Sequence, residues 1–402
     1  MKNEDLLRKF TKEYLNKLEV GYKLSRDIKL EDFWEDLLSY RKKNSEILPF
    51  KDQQNNNFWY VTTNLLQKKL HEIDSYGRDT LYAMVKKDIE EALIKESIIE
   101  EGFYSSVIEG AFSTLKKAKE LADKKASPKN NSEQMILNNF YAMRFILENK
   151  EKDISNDLIL ELHKIVSQKT LDDHTFEGKY RDDQVYITNS QGEAIYIPPP
   201  AKEIPEAMEK LINYINKQDE FVHPVIKASI LHFYFVYLHP FFDGNGRTSR
   251  ALFYFYLLKH NYGFFKYFSI SSIINATRGR YYKSIKEVED YGSDMTYFLI
   301  YMANSIIKAI SDIKTKISEH YKKDYYISKI KEQNIILNDR QQKFINKFLF
   351  WKEKQISIEK YISIYNIVYQ TARTDLLDFT KKGIFKKEKK GKKFIFMLNP
   401  EF

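Results

Sequence analysis

A polar stretch of twelve residues between two apolar runs constrains this chain more than any other feature. The apolar runs cover residues 228–238 and 251–258. They are rich in Leu, Phe and Tyr and too long for ordinary strands, so they predict two buried helices. The stretch between them reads HPFFDGNGRTSR, from His239 to Arg250. Polar groups between buried helices are costly unless they have partners, so we predict a ligand site in this loop.

The glycines and arginines of the loop favour an anionic ligand. Gly244 and Gly246 allow a tight turn and a close approach of the backbone to a ligand. We expect the second helix to begin at about Thr248, which turns free N–H groups toward the loop and makes an anion site, usually for phosphate. Arg247 and Arg250 lie three residues apart, and both side chains can form forked hydrogen bonds with phosphate oxygens.

Two further residues of the loop suit chemistry at a phosphate. Asp243 offers hard oxygen ligands for Mg²⁺ shared with phosphates. His239 is the one group of the loop that can take up a proton near neutral pH. The plainer interpretation is a helix-loop-helix with a glycine turn and a solvated charge cluster. Five useful kinds of polar residue between two core helices favour the ligand site over that interpretation.

The stretch resembles the signature of Fic-domain proteins, His-x-Phe-x-(Asp/Glu)-Gly-Asn-(Gly/Lys)-Arg-x-x-Arg, and matches it at each defined position. The resemblance implies a helical fold and an enzyme that moves AMP from ATP to a Ser, Thr or Tyr hydroxyl of a protein. It implies that His239 is the general base and that Asp243 holds Mg²⁺. The implied nucleotide contacts are Gly244, Asn245, Gly246, Arg247 and Arg250.

An upstream segment resembles the inhibitory motif of the same family, (Ser/Thr)-x-x-x-Glu-(Gly/Asn). The matching residues are Ser105, Glu109 and Gly110, and their place before the catalytic loop resembles the subclass with an N-terminal inhibitory helix, here at about residues 100–111. The resemblance implies that Glu109 pairs with Arg250 and keeps it from the γ-phosphate, while Ser105 seats the helix. Taken alone, Glu109 would be a surface acid where a helix ends at Gly110.

A hairpin pattern precedes the loop. Two β-prone runs, 184–189 and 194–197, flank Asn189-Ser190-Gln191-Gly192. With the preceding Gly-x-Tyr-Arg and the following three prolines, the segment resembles the Fic flap, at about residues 180–198. A flap edge aligns an extended target segment by strand addition, with Val185 and Ile187 as its clamp. The alternative is a hairpin that only covers a helical core.

A segment after the loop resembles the helix that often closes the adenine side of the Fic site. It would place Tyr281 or Tyr282 at the base, and core packing is an equally good interpretation of both tyrosines.

The last part of the chain, residues 335–402, reads as three helices and a hairpin and resembles a winged helix-turn-helix. The hairpin carries a cluster of lysines suited to phosphate backbones, Lys386, Lys387, Lys389, Lys390, Lys392 and Lys393. The third helix has Arg373 but also Asp375 and Asp378, which weakens the case for reading a major groove. DNA binding and a dimerisation or protein-docking role therefore both stay open.

Composition sets the remaining expectations. With 402 residues, 43% hydrophobic residues and only 13 Gly and 9 Pro, the chain predicts two or three mainly helical domains. We divide it into a helical region over 1–85, a catalytic domain over 86–325 and the winged helix over 335–402. The absence of Cys excludes disulfides. Neither a signal-like start nor an 18-residue apolar run occurs, so we expect a cytoplasmic protein without membrane contact.

Two other functions are compatible with these patterns. The enzyme could remove AMP from a modified protein, with Glu109 positioning a water molecule. Alternatively, the chain could be a DNA-binding regulator that uses its Fic domain as a nucleotide sensor.

Overall fold

The computed structural model describes residues 3–188, 191–218, 220–349, 351, 353–391 and 393–402. Asn189 and Ser190 of the expected hairpin turn and Lys392 of the lysine cluster therefore lie outside the described residues. The chain forms two compact units, Met1–Ile313 and Lys314–Phe402. Residues 1–85 belong to the first unit together with the catalytic segment. The boundary falls at residue 313 rather than between 325 and 335.

The first unit is mainly helical, as predicted. Its helices are α1 (Asn3–Glu13), α2 (Lys17–Lys23), α3 (Leu30–Lys42), α4 (Asn64–Asp74), α5 (Tyr82–Met84), α6 (Lys87–Ile108), α7 (Leu115–Ala122), α8 (Asn131–Asn149), α9 (Asn156–Ser167), α10 (Ile204–Asn216), α11 (Pro224–Leu238), α12 (Asn245–Lys259), α13 (Ile270–Ala276) and α14 (Arg278–Asp290). Helix α15 (Thr296–Glu332) contains the boundary between the units. Among the described residues, no helix combines the length and the apolar character that crossing a membrane requires.

The two apolar runs of the sequence are the buried helices α11 and α12. Helix α11 starts with Pro224, whose fixed φ suits a first helical turn, and ends where His239 adopts a left-handed conformation with φ 49°. Gly244, with φ 80°, precedes α12, which begins at Asn245. The helix thus starts three residues before the predicted Thr248, because the left-handed glycine lets the chain enter the helix at once.

Two hairpins interrupt the helices of the first unit. Strands β1 (Glu46–Lys51) and β2 (Asn57–Tyr60) are antiparallel, so the region over 1–85 contains a hairpin in addition to the predicted helices. Leu48 and Phe50 alternate with exposed residues in β1, which is the pattern of a half-buried strand. Strands β3 (Ile187–Thr188) and β4 (Ala194–Tyr196) form the hairpin expected at about 180–198.

The second unit combines helices with one small sheet. It contains α16 (Asp339–Phe348), β5 (Gln355–Ser357), α17 (Ile358–Tyr365), α18 (Tyr369–Lys381), β6 (Phe385–Lys390) and β7 (Lys393–Leu398). The three strands form one antiparallel sheet in the order β5-β7-β6. Strand β5 is an addition to the predicted three helices and hairpin. Its three residues show no periodicity of their own and become a strand only by pairing with β7.

Candidate active site

The side chain of Asn245 closes the loop between α11 and α12. The Phe241 N–H donates to Asn245 Oδ1 at 2.9 Å, and Asn245 Nδ2 donates to the Phe241 carbonyl at 2.8 Å. Both ends of the buried amide are therefore used within the loop, where we had expected them to meet phosphate. Just beyond, the first N–H groups of α12, from Asn245 to Arg247, have no carbonyl one turn earlier in the helix and face the loop.

His239 stands at the start of this loop with its ring partly exposed. Its Nδ1 lies 3.4 Å from the Val236 carbonyl. When Nδ1 carries the proton and donates to that carbonyl, Nε2 keeps its lone pair. Burial lowers the pKa of His239 to about 4, and the charge of Glu109 opposes part of that shift. The imidazole is therefore neutral at pH 7 and able to accept a proton.

Arg181 joins the hairpin to the loop, a role that the sequence did not reveal. Its guanidinium is buried and donates to the carbonyls of His239 at 2.8 Å and Asp183 at 2.8 Å, and also to that of Pro199. Its backbone N–H donates to the Pro240 carbonyl at 2.9 Å. One side chain therefore ties both arms of the hairpin to the backbone of the proposed base.

His163, on α9, is a second residue that the sequence did not reveal. Its ring stacks on Phe241 with 3.5 Å between ring centroids. Nε2 lies 2.9 Å from the Asp243 carbonyl, and the Gly178 N–H donates to Nδ1 at 3.0 Å. These two contacts fix the tautomer with the proton on Nε2. Burial lowers the pKa of His163 to about 4, so the ring is neutral at pH 7. Through its two nitrogens it holds the loop at Asp243 next to the segment at Gly178 that leads into the hairpin.

Asp243 and Arg247 form an ion pair at the open side of the loop. Arg247 Nη2 donates to Asp243 Oδ2 at 3.0 Å, and Arg247 Nη1 donates to the Val166 carbonyl at 3.0 Å. The Arg247 side chain is fully buried, whereas that of Asp243 is 52% exposed. No cluster of three or more His, Asp or Glu that could hold a metal occurs in the described part of the chain. One accessible carboxylate suits Mg²⁺, which completes its shell with substrate phosphates and water.

Glu109 lies over the first turn of α12. Its Oε1 accepts from Arg250 Nη2 at 2.8 Å. Arg250 also donates through Nε to Ser105 Oγ at 2.9 Å and through Nη2 to the Ser105 carbonyl at 2.8 Å. A Cβ added at Gly246 would lie 2.0 Å from Glu109 Oε1. The end of α6 therefore places a carboxylate directly on the backbone that faces the loop.

Helix α6 is held in this position by buried polar contacts. Two turns before Glu109, the buried Glu101 carboxylate accepts from Tyr254 OH at 2.9 Å and from Ser269 Oγ at 2.7 Å. Near the end of the helix, Asn139 donates to Ser106 Oγ at 2.9 Å and Arg278 donates to the Val107 carbonyl at 2.7 Å. The position of Glu109 therefore does not depend on its own ion pair alone.

The hairpin exposes three apolar side chains besides the predicted clamp of Val185 and Ile187. Val185 and Ile187 are partly buried, whereas Tyr186, Ile195 and Ile197 are 60%, 65% and 51% exposed. The β1–β2 turn supports this edge, since Gln53 donates through Nε2 to the Ile197 carbonyl at 2.8 Å. That turn lies in the region of residues 1–85, for which the sequence analysis named no site residue.

The two tyrosines of α14 have different surroundings. Tyr281 is buried, and its hydroxyl lies 2.8 Å from His232 Nε2, so Tyr281 belongs to the core. Tyr282 is 51% exposed. Of the two side chains, that of Tyr282 is the accessible one.

Comparison with known proteins adds to this geometry. The model of the Fic/DOC family matches residues 153–257. A protein adenylyltransferase Fic of Nematostella vectensis is 31% identical over 199 residues, which are 46% of this chain and 43% of that relative. A protein of the same name from Drosophila melanogaster is 30% identical over 235 residues, 56% of this chain and 45% of the relative. The matched part thus spans less than half the length of these relatives.

The fold has a counterpart among solved structures. The crystal structure of a Fic family protein from Desulfovibrio desulfuricans G20 superposes with a TM-score of 0.57 and 19% sequence identity, and the match covers 84% of this chain and 97% of that one. The helical fold, the complete loop signature and the family match agree. Within this chain, residues 153–257 are therefore similar to the Fic/DOC family.

Proposed function

We propose that this protein transfers AMP from ATP to a Ser, Thr or Tyr hydroxyl of a target protein, and that Glu109 restrains the reaction. The observation that carries the proposal is the contact of Glu109 with Arg250 above the backbone of Gly246. A carboxylate occupies the place where the loop would receive a phosphate. The names of the relatives from Nematostella and Drosophila support adenylyl transfer as the chemistry.

His239 supplies the base. Its neutral Nε2 takes the proton of the target hydroxyl while that oxygen attacks the α-phosphorus of ATP. The new oxygen–phosphorus bond forms while the bond breaks between the α-phosphorus and the oxygen that bridges it to the β-phosphorus. Pyrophosphate leaves with the electron pair of that bond. Arg181 Nε donates to the backbone carbonyl of His239 at 2.8 Å, so the side chain that holds the hairpin also holds the backbone of the base.

The start of α12 supplies the electrophilic stabilisation. The N–H groups of Asn245, Gly246 and Arg247 can donate to phosphate oxygens that gain charge in the transition state. The Gly244 N–H already donates to Asp243 Oδ1, so Gly244 serves by turning the chain. Asp243 would hold Mg²⁺, and the bound ion would supply positive charge that offsets charge on the pyrophosphate leaving group.

Arg250 is the residue through which the restraint operates. It is 3% exposed and donates to Glu109 and to Ser105, so it has no solvent to replace a lost partner. With Glu109 in place, Arg250 would not be available to an incoming γ-phosphate, and the Glu109 carboxylate would repel that phosphate. We propose that Arg250 binds the γ-phosphate once Glu109 leaves, and that Arg247 orients Asp243 beside the β-phosphate.

The hairpin supplies the docking edge for the target. A target segment added alongside it would gain backbone hydrogen bonds, with Val185 and Ile187 as the clamp. The exposed Tyr186, Ile195 and Ile197 would cover its apolar side chains.

The test uses ATP labelled at the α-phosphate, Mg²⁺ and a cell lysate, with wild type, Glu109→Gly and the double variant Glu109→Gly/His239→Ala. We expect protein labelling to rise in Glu109→Gly and to disappear in the double variant, although the latter still binds nucleotide. Glu109→Gln is the matched control, because it keeps the size of the side chain and removes its charge. Absence of label in Glu109→Gly, or equal label with and without His239, would reject the proposal. Loss of AMP from a pre-modified target would favour the reverse reaction instead.

A further inference from the structure

We propose that the second unit binds duplex B-form DNA, with α18 in the major groove and the β6–β7 hairpin along the phosphate backbone. The inference starts from where the charge lies. Residues 335–402 contain 15 Lys and Arg against seven Asp and Glu, so they carry +8 of the chain's net charge of +9. The other 334 residues are close to neutral. Such a concentration of positive charge in a small unit indicates a polyanionic partner.

The two acids of α18, Asp375 and Asp378, have partners within the second unit, so they do not weigh against DNA binding. Asp375 is buried and accepts from Arg340 Nε at 2.6 Å and from Tyr361 OH at 3.1 Å. Asp378 accepts from Gln341 Nε2 at 2.9 Å and pairs with Lys382. Both carboxylates therefore serve the contacts of α18 with α16, with α17 and with its own last turn.

The exposed edge of α18 is free of acids as a result. The exposed residues on its first turns are Tyr369, Gln370, Arg373 and Thr374. Arg pairs with guanine and Gln with adenine in the major groove, and the first turns of a recognition helix are the part that reaches base edges. The left-handed Asn366, with φ 49°, ends α17 and makes the tight turn into α18 that this geometry requires.

The hairpin presents several exposed lysines and one exposed acid, Glu388. In β6, residues 386–390 are all exposed, and the register places Lys390 opposite Lys393. Like charges directly across a strand pair are destabilising, and a phosphate chain beside them would offset that cost. Lys386 and Lys393 pair with exposed carboxylates, Glu401 at 3.2 Å and Glu359 at 3.7 Å, which phosphates can displace.

The same features disfavour the alternative partners. A twofold dimer through this face would bring two positive patches together. Double-stranded RNA has a major groove too narrow for a helix, so α18 could not read it. Duplex DNA satisfies both the helix and the hairpin.

The test measures binding of the full chain to a fluorescein-labelled 30-base-pair duplex by anisotropy, at several KCl concentrations. The hairpin variant is Lys389→Glu/Lys390→Glu. The matched control is Lys42→Glu/Lys43→Glu, another adjacent exposed pair with the same change in charge. For the wild type, the logarithm of the association constant should fall linearly with the logarithm of the salt concentration. In the hairpin variant this slope should be smaller by the contribution of about two phosphate contacts, and the affinity at low salt should be lower by more than about tenfold. The control should match the wild type.

A second measurement tests the helix. Selection from a random duplex library should enrich a sequence, and Arg373→Ala should bind that sequence roughly 5- to 150-fold more weakly while its binding to unrelated duplex stays unchanged. Far-UV circular dichroism establishes that the exposed substitutions leave the unit folded. Absence of duplex binding, equal loss in the control, equal affinity for duplex RNA, or selection that enriches no sequence would overturn the proposal. So would capture of an acidic protein that depends on Lys389 and Lys390 when no DNA is bound.

Discussion

Substituting Gly246 by Ala should release Glu109 without altering either partner of the ion pair. The added Cβ would lie 2.0 Å from Glu109 Oε1 and 3.0 Å from Arg250 Nη1. An ordinary contact needs a separation of at least 3.4 Å, so the carboxylate has to move away by more than 1 Å. A displacement of that size breaks the 2.8 Å hydrogen bond between Glu109 and Arg250.

The size of the effect follows from the contact that is lost. A hydrogen bond to a charged group contributes about 1.5–3 kcal/mol to stability. At about 1.36 kcal/mol per factor of ten, loss of this restraint should raise the rate of AMP transfer by roughly 10- to 150-fold. The gain should approach that of Glu109→Gly, because both changes leave Arg250 to the nucleotide.

A double-mutant cycle separates this effect from any direct effect of the methyl group on phosphate binding. The rates of label transfer are measured for wild type, Gly246→Ala, Glu109→Gly and the double variant at one ATP concentration. If the Gly246→Ala methyl group displaces Glu109, then Glu109→Gly adds little in the Gly246→Ala background. Should Glu109→Gly increase the rate by the same factor in both backgrounds, the carboxylate does not sit on Gly246 in solution and the reasoning fails.

Two further predictions concern the hairpin and the base. Arg181→Lys keeps the charge but loses the forked guanidinium that reaches the carbonyls of His239, Asp183 and Pro199. We therefore expect the KM for the protein target to rise several-fold more than the KM for ATP. Equal changes in both KM values would contradict a role of Arg181 in joining the hairpin to the loop. Because burial lowers the pKa of His239 to about 4, the proton-accepting form persists well below pH 6.5. In Glu109→Gly with excess Mg²⁺, kcat/KM for ATP should therefore stay level from pH 8 to pH 6, whereas a fall with a midpoint near 6.5 would mean that the free enzyme's base is not buried in this way.

The contacts that are local in the chain could be predicted from the sequence, and the distant ones could not. The loop from His239 to Arg250 is continuous, and the helices beside it are plain apolar runs, so both were recognised. The pairing of Glu109 with Arg250 joins residues 141 positions apart, and it was expected only because the family resemblance supplied it.

His163 and Arg181 show why the remainder was missed. His163 lies on a helix whose other buried residues, apart from Ser167, are apolar. No sequence pattern there separates a histidine of the core from one that positions a loop. Both side chains act on backbone carbonyls, of Asp243 and of His239, and a carbonyl gives no signal in a sequence. The β1–β2 hairpin was missed for another reason: Leu48 and Phe50 are only two buried positions, and Pro49 between them argues against a strand.

If Arg250 binds the γ-phosphate as proposed, its burial makes the contact with Glu109 and the binding of nucleotide a single exchange of anions. Arg250 is 3% exposed, so in either state its charge needs a partner within the protein or the ligand. Glu109→Gly removes that partner and leaves only the neutral oxygens of Ser105, so the variant without ligand should unfold at a lower temperature than the wild type. ATP then restores a negative charge beside Arg250 without displacing one, so it should raise the melting temperature of Glu109→Gly more than that of the wild type. Thermal unfolding with and without Mg²⁺ and ATP measures both shifts. An equal rise in the two proteins would mean that ATP and Glu109 do not compete for the same cation.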